Sequence, residues 1–186
     1  MTTAIAAVQG LRAGTWTIDP SHSEVSFTVR HLMVSKVRGT FRTFTGAITV
    51  DDDLQASSVT AEVVMDSIDT REATRDNHLR TKDFFEIEKY PTMNYRSTGI
   101  RADGDDYIVE GELTLHGVTK PVALSLEVGG VGSDPWGGIR AGFSAKTAIN
   151  RNDFGVDIKM PLDGGGVVVG DKISIHLEIE AVLDQN

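Results

Sequence analysis

The sequence predicts an all-β protein: an antiparallel meander of about eight strands, closed into a barrel, with one short helical insertion at about residues 70–85. Three observations lead there. Apolar and polar residues alternate with a period of two over most of the chain. The alternating runs are joined by short turn signals such as "DDD" (51–53), "ADGD" (102–105) and "HGVTK" (116–120), which make successive strands antiparallel neighbours. Residues 69–85 break the alternation and carry helical spacing instead.

The first run is "VSFTV" (25–29), where Val25, Phe27 and Val29 share one face and His31 continues it towards the strand end. "GTFRTFTGAITV" (39–50) and "SSVTAEVVMDSI" (57–68) follow. In the insertion, Asp69 or Thr70 can cap a helix, Glu72 and Ala73 suit its first turn, and Arg75, Leu79 and Lys82 recur at helical spacing. Strands resume at "TMNYRSTGI" (92–100), "DYIVEGELTL" (106–115), "KPVALSLEVGGV" (120–131) and "IRAGFSAKTAI" (139–149). The stretch 150–170 is too glycine-rich to be regular and is expected to form a long loop near a rim. The last run, "KISIHLEIEAVL" (172–183), shows the pattern best. Ile173, Ile175, Leu177, Ile179, Ala181 and Leu183 fall on one face, and Ser174, His176, Glu178 and Glu180 on the other. Such a sheet hides its apolar face by closing on itself or by folding into a sandwich. Closure also removes exposed edges, and Gly46, Gly111, Gly129, Gly130 and Gly142 permit the bends it needs.

At 186 residues the chain fits a single core. The expected organisation is a flexible N-terminal tail, residues 1–14, followed by one domain, residues 15–186. Hydrophobic residues at 40% and charged residues at 24% are the balance of a soluble globular protein, and the apolar runs fall far short of a bilayer span. Eighteen Lys and Arg against twenty-seven Asp and Glu leave a net charge of -9, which repels phosphate backbones and argues against nucleic acid as a partner. The lack of cysteine excludes disulfides, thiolate metal sites and thiol nucleophiles. The short apolar patch Ala4–Val8 has no basic residue before it and is too brief for a signal-peptide core. The expected location is cytoplasmic.

Catalytic and metal-binding patterns are weak. Of the five histidines, His176 lies on a wet face, and His116 follows Thr114, Glu112 and Glu110 on another. His31 points inward, where a histidine is most often a hydrogen-bonded core group. Glu110 and Glu112 have a spacing compatible with paired carboxylates, but a solvated charged face explains them better. "DFG" (153–155) lacks the motifs that accompany it in a kinase, and "DGGGVVVG" (163–170) lacks the lysine and serine of a phosphate-binding loop. No GxSxG or HExxH occurs. No catalytic residue, metal site or cofactor is expected.

"RDNHLRTKDFF" (75–85) concentrates the polar functionality. On a helix, Arg75, His78, Leu79 and Lys82 share one side while Asp76 and Asn77 occupy others, so no face gathers acid, base and nucleophile. A helix bearing Leu79 and followed by Phe84 and Phe85 suits a lid across a barrel mouth, with Arg75, Asn77 and His78 as donors. An ordinary charged surface helix is the alternative.

Taken in order, nine segments resemble the YceI family. They are "W-x-I-D-P-x-H-S" (16–23), "F-x-V-R-H-L" (27–32), "V-R-G-T-F-x-x-F-x-G" (37–46), "S-I-D-T" (67–70), "R-D-N-H-L" (75–79), "D-F-F" (83–85), "Y-P" (90–91), "G-E-L-T-L-H-G-V-T-K-P-V" (111–122) and "I-N-R-N-D-F-G" (149–155). The resemblance implies a lipocalin-like eight-stranded antiparallel barrel with a helical insertion and an elongated apolar cavity for a polyisoprenoid or other long-chain lipid. It also implies that a homodimer is an option and that relatives are often periplasmic, a location for which this chain shows no convincing signal peptide.

The expected function is therefore non-enzymatic binding, storage or transport of a long-chain amphiphilic lipid, of polyisoprenoid or fatty-acyl type, without stable membrane insertion. Phe27, Val29, Phe41, Leu113, Val122, Leu124, Leu126, Phe143, Ile173, Ile175 and Leu177 are expected to line the cavity. His31, Arg38, Arg75, Asn77, His78, Asp83, Phe84, Phe85 and Arg151 are expected at the mouth, where arginines suit a phosphate or carboxylate head group. The rivals are a stress-related or structural module whose barrel is filled by its own side chains, and a lipid-acting hydrolase or isomerase with His31 or His78 as base.

Overall fold

A computed structural model describes residues 8–159 and 168–185. Its strands are β1 (Gly14–Ile18), β2 (Glu24–His31), β3 (Ser35–Phe41), β4 (Phe44–Val50), β5 (Ser58–Val64), β6 (Ile68–Asp69), β7 (Thr92–Asp103), β8 (Asp106–Leu115), β9 (Val118–Pro121), β10 (Leu124–Ser133), β11 (Ile139–Asn150) and β12 (Val169–Leu183). Its helix is α1 (Ala73–Leu79). The pairs β1/β2, β3/β4, β5/β6 and β9/β10 are each one bent strand, interrupted for a few residues, so the sheet has eight staves.

Every stave pairs antiparallel with its neighbours in sequence. β12 then returns to the start, with Ile175 opposite Phe27 on β2 and Trp16 on β1 opposite Leu183. This is a closed eight-stranded antiparallel barrel, and the ring of pairings rules out the open sandwich. Register shifts at Ser97/Gly99 and Val128/Gly130 supply bulges that coil the sheet. One end carries the β2–β3 hairpin, the 70–91 insertion, the turn at His116 and Gly117, and the start of the β11–β12 connection. We call this end the mouth.

The sequence reading missed β1. Trp16 and Ile18 face inward there, and Trp16 is completely buried, its Nε1 donating to the Arg12 carbonyl at 3.0 Å. The expected tail also ends earlier than residue 14, because Val8 and Leu11 pack against the core around Trp16; residues 1–7 lie outside the described residues. A second core cluster, nearer the mouth, gathers Phe41, Met65, Ile68, Leu115 and Phe154.

The helix is shorter than the expected 70–85 and is capped by neither Asp69 nor Thr70. Glu72 is its cap, accepting from the Thr74 and Arg75 backbone N–H groups. Arg71 adopts a left-handed φ of 67°, so the helix cannot extend back through it. Asp69 instead accepts from Arg71 N–H, and buried Asp76 accepts from both the N–H and the hydroxyl of Thr70. After Leu79 the chain reverses, with Phe85 N–H donating to the Leu79 carbonyl at 3.0 Å.

Close approach of β4 to its neighbours explains Gly46. A methyl group on it would lie 2.6 Å from Ile18 Cδ1 and 2.8 Å from the Thr60 carbonyl oxygen. The carbonyl belongs to the β4–β5 ladder and cannot retreat without breaking it. Gly46→Ala should cost about 1–3 kcal/mol, read as a lower denaturant midpoint at unchanged m-value.

Candidate functional site

The inward faces do not fill the barrel. Two apolar compartments, of about 160 and 100 Å³, lie along its axis and share Val25, Met93 and Ile175 in their walls. The lower is lined by Leu113, Val122, Leu124, Leu126, Phe143, Ile175 and Leu177, among others, and its wall is apolar apart from Thr45, Thr147 and Tyr95. Burial pushes the Tyr95 phenol up to about 12, and its hydroxyl donates to the Val122 carbonyl at 2.9 Å. The upper compartment is lined by Phe27, Val29, Phe41, Ile173 and Ile175, and is roofed by Leu79, Phe84 and Phe85 of the insertion. All eleven residues expected on a cavity wall thus lie on one.

The mouth residues divide. Phe84 is buried, and Phe85 packs beside it against the upper core. Arg151, 6% exposed, reaches the upper compartment from the β11–β12 connection. It donates to the carbonyls of Gly170, Val156 and Val169 and pairs with Asp171 at 3.1 Å, tying the two described ends of that connection together. His31 continues the inward face of β2 half-buried, but it lines neither compartment.

Five expected mouth residues face elsewhere. Arg38 alternates with inward Val37 and Gly39, so it points outward, where it pairs with Glu24 at 2.6 Å. Arg75 turns back to Thr70, donating to its hydroxyl at 2.7 Å and its carbonyl at 2.8 Å. Asn77 accepts from Arg80 in solvent. His78 and Asp83 pair at 3.0 Å on the outer side of the roof, with the His78 ring edge-on to Phe84. Helical spacing suggested that these side chains act together, but Leu79 is the residue of the helix that lines the cavity, and Arg75, Asn77 and His78 bond to Thr70, Arg80 and Asp83 instead. Met93 and Met65 were missed as wall residues. The parity of "TMNYR" would have placed Met93 beside inward Tyr95.

Outside the barrel, Asp19, His22 and Glu180 offer ligand atoms within 4.8 Å of one another. The Arg140 guanidinium already supplies the cation, donating to Asp19 at 2.8 Å, Glu180 at 2.7 Å and Asp134 at 2.9 Å. The Ser21 hydroxyl, then Arg140 and His22, hold the Asp19 carboxyl well below its ordinary 3.8. The Gly138 N–H, then Arg140, lower Asp134. These carboxylates ionise more readily folded than unfolded. Their stabilisation is present above the ordinary carboxylate range and is lost as pH falls through 3.8 towards the folded values. The urea midpoint should fall on going from neutral pH to about pH 3, and Arg140→Met should flatten that slope.

The YceI-like domain matches residues 16–181. A UPF0312 protein of Photorhabdus laumondii is 46% identical over 138 residues, 74% of this chain and 72% of that protein. The chain belongs to the YceI family. Among solved structures, BcnA of Burkholderia cenocepacia shares this fold at a TM-score of 0.75 and 22% identity, covering 88% of this chain and 98% of BcnA. A domain from Saccharophagus degradans, described as a polyisoprenoid binding domain, superposes with a TM-score of 0.70 at 16% identity, over 93% of this chain and 100% of that one. In this YceI chain, three of the motif segments meet at the mouth. His116 of "LHG" bonds the Phe154 carbonyl of "NDFG" at 3.0 Å, and its ring lies edge-on to Tyr90 of "YP". His116 is therefore not on a wet face: its left-handed φ of 53° takes it out of the strand alternation and leaves its side chain 15% exposed. Glu110 and Glu112 do stay outside, facing Arg101 and Arg96 across the ladder.

Proposed function

We propose that this YceI barrel binds, stores or carries a long-chain amphiphile of polyisoprenoid or fatty-acyl type without catalysing its conversion. The observation that carries this reading is the pair of adjoining apolar compartments roofed by Leu79, Phe84 and Phe85. The description of the S. degradans domain as polyisoprenoid-binding supports it from a protein of the same fold. Burial of hydrocarbon in such a space yields about 25 cal/mol per Å² without any specific polar contact. In this reading the head group stays at the mouth, where Arg151 is the charged side chain on the upper wall and meets it only through the N–H not engaged by Gly170, Val156, Val169 and Asp171.

The volumes limit how the lipid enters. A dry apolar cavity of about 150 Å³ accepts a benzene-sized guest, so the lower compartment holds a short hydrocarbon segment as it stands. A long chain needs the partition to open. Met93 is suited to this, because its unbranched side chain re-packs at low cost. The same small volumes favour, as a second reading, a barrel whose own side chains leave too little room for a lipid.

Titration of delipidated protein with a fluorescent long-chain acyl probe separates the two. The carrier reading expects saturable binding that Leu124→Asp abolishes in a protein still folded by circular dichroism. A filled barrel binds no probe.

A further inference from the structure

Leu32, Met33 and Val34, at the tip of the β2–β3 hairpin, are 39%, 52% and 82% exposed. The tip is a three-residue loop between the ladder partners His31 and Ser35, in which Val34 N–H donates to the His31 carbonyl at 3.2 Å and Leu32 and Met33 have φ of 52° and 60°. Two successive left-handed residues are costly for leucine and methionine and are tolerated best by asparagine and glycine. Leucine and methionine there neither relieve the turn nor enter the core.

The flanks are unusual in a second way. Arg30 and Lys36 stand directly opposite each other on the ladder, a like-charge pairing that weakens a sheet. Lys172 of β12 lines the same outer groove, of about 550 Å³, with Arg30, Met33 and Lys36. Among the described residues none of these three cations has a carboxylate within 4.0 Å, and Asp171 in that groove pairs with Arg151. Residues 25–50 hold four cations and no carboxylate, in a chain whose net charge is -9. Exposed apolar side chains ringed by unpaired cations match an anionic bilayer, whose surface attracts the charges while its interface takes the apolar tip.

We propose that the β2–β3 hairpin docks the protein on an anionic lipid bilayer, with Leu32, Met33 and Val34 entering the headgroup region and Arg30, Lys36 and Lys172 facing lipid phosphates. Val29 lies in the walls of both the outer groove and the upper compartment, so docking brings the cavity mouth to the membrane. The docking does not depend on what the cavity holds.

The test is sedimentation of the protein with phosphatidylcholine vesicles, with and without phosphatidylglycerol, alongside the double variant Leu32→Asn, Met33→Gly. The parent should bind only vesicles containing phosphatidylglycerol and should release at about 0.5 M salt. The variant should lose binding by roughly tenfold or more while melting at a higher temperature than the parent, because its turn is relaxed. Undiminished binding by the variant overturns the proposal, as does equal binding to neutral vesicles. So does a parent dimer that the variant dissociates with no vesicle binding by either, which would make the tip an interface between copies. Lipid extracted from the same samples reports cavity occupancy separately, so failure of docking leaves the carrier reading standing.

Discussion

Ala145→Phe should lower the affinity for a long-chain lipid by roughly fifty- to a hundredfold while leaving the barrel folded. Ala145 is buried on β11, opposite Leu126 and Leu177, and lines the lower compartment. A benzyl group there takes the place of the hydrocarbon. Each 100 Å² or so of lost lipid contact costs about 2.5 kcal/mol, which gives the expected loss. Stability reports on the same space independently. In a barrel already filled, the added ring costs about 1–3 kcal/mol; in an empty compartment it costs little. An unchanged melting temperature with lost probe binding supports the carrier reading. A destabilised variant of a parent that bound no probe supports the filled barrel.

Arg151→Met should be the most damaging single change to stability, at about 3–5 kcal/mol. Its guanidinium donates to the carbonyls of Val156, Val169 and Gly170. Methionine keeps the apolar stem but leaves buried acceptors without partners. Arg38→Met is the control: its pair with Glu24 is exposed, and its loss should shift stability by no more than about 0.5 kcal/mol. Urea denaturation of both variants at neutral pH makes the comparison. Similar values for the two would mean that Arg151 does not fasten the mouth.

The barrel and its inner wall were legible because alternation assigns each residue of a strand to a face. The same rule, applied to Val37, Gly39 and Phe41, would have sent Arg38 outward. β1 escaped notice because it has only five residues before Asp19 and Pro20 interrupt it. The lid was legible in outline through Leu79, Phe84 and Phe85, but the polar side chains around them were not. Arg75 bends back to Thr70, and His78 turns to Asp83; these are choices between local partners that no periodicity encodes. His116 was misplaced because turn residues leave the strand alternation. Cavity size lies further still from the sequence, since it depends on how Met93, Val25 and Ile175 pack across the axis.

The most direct test of the central claim is native mass spectrometry of the purified protein, followed by organic extraction and identification of whatever is released. The account predicts a discrete added mass from a molecule with a long hydrocarbon chain, or its appearance after incubation with isoprenoid phosphates or fatty amides. A protein that stays at its bare mass throughout contradicts the account and leaves a barrel that carries nothing.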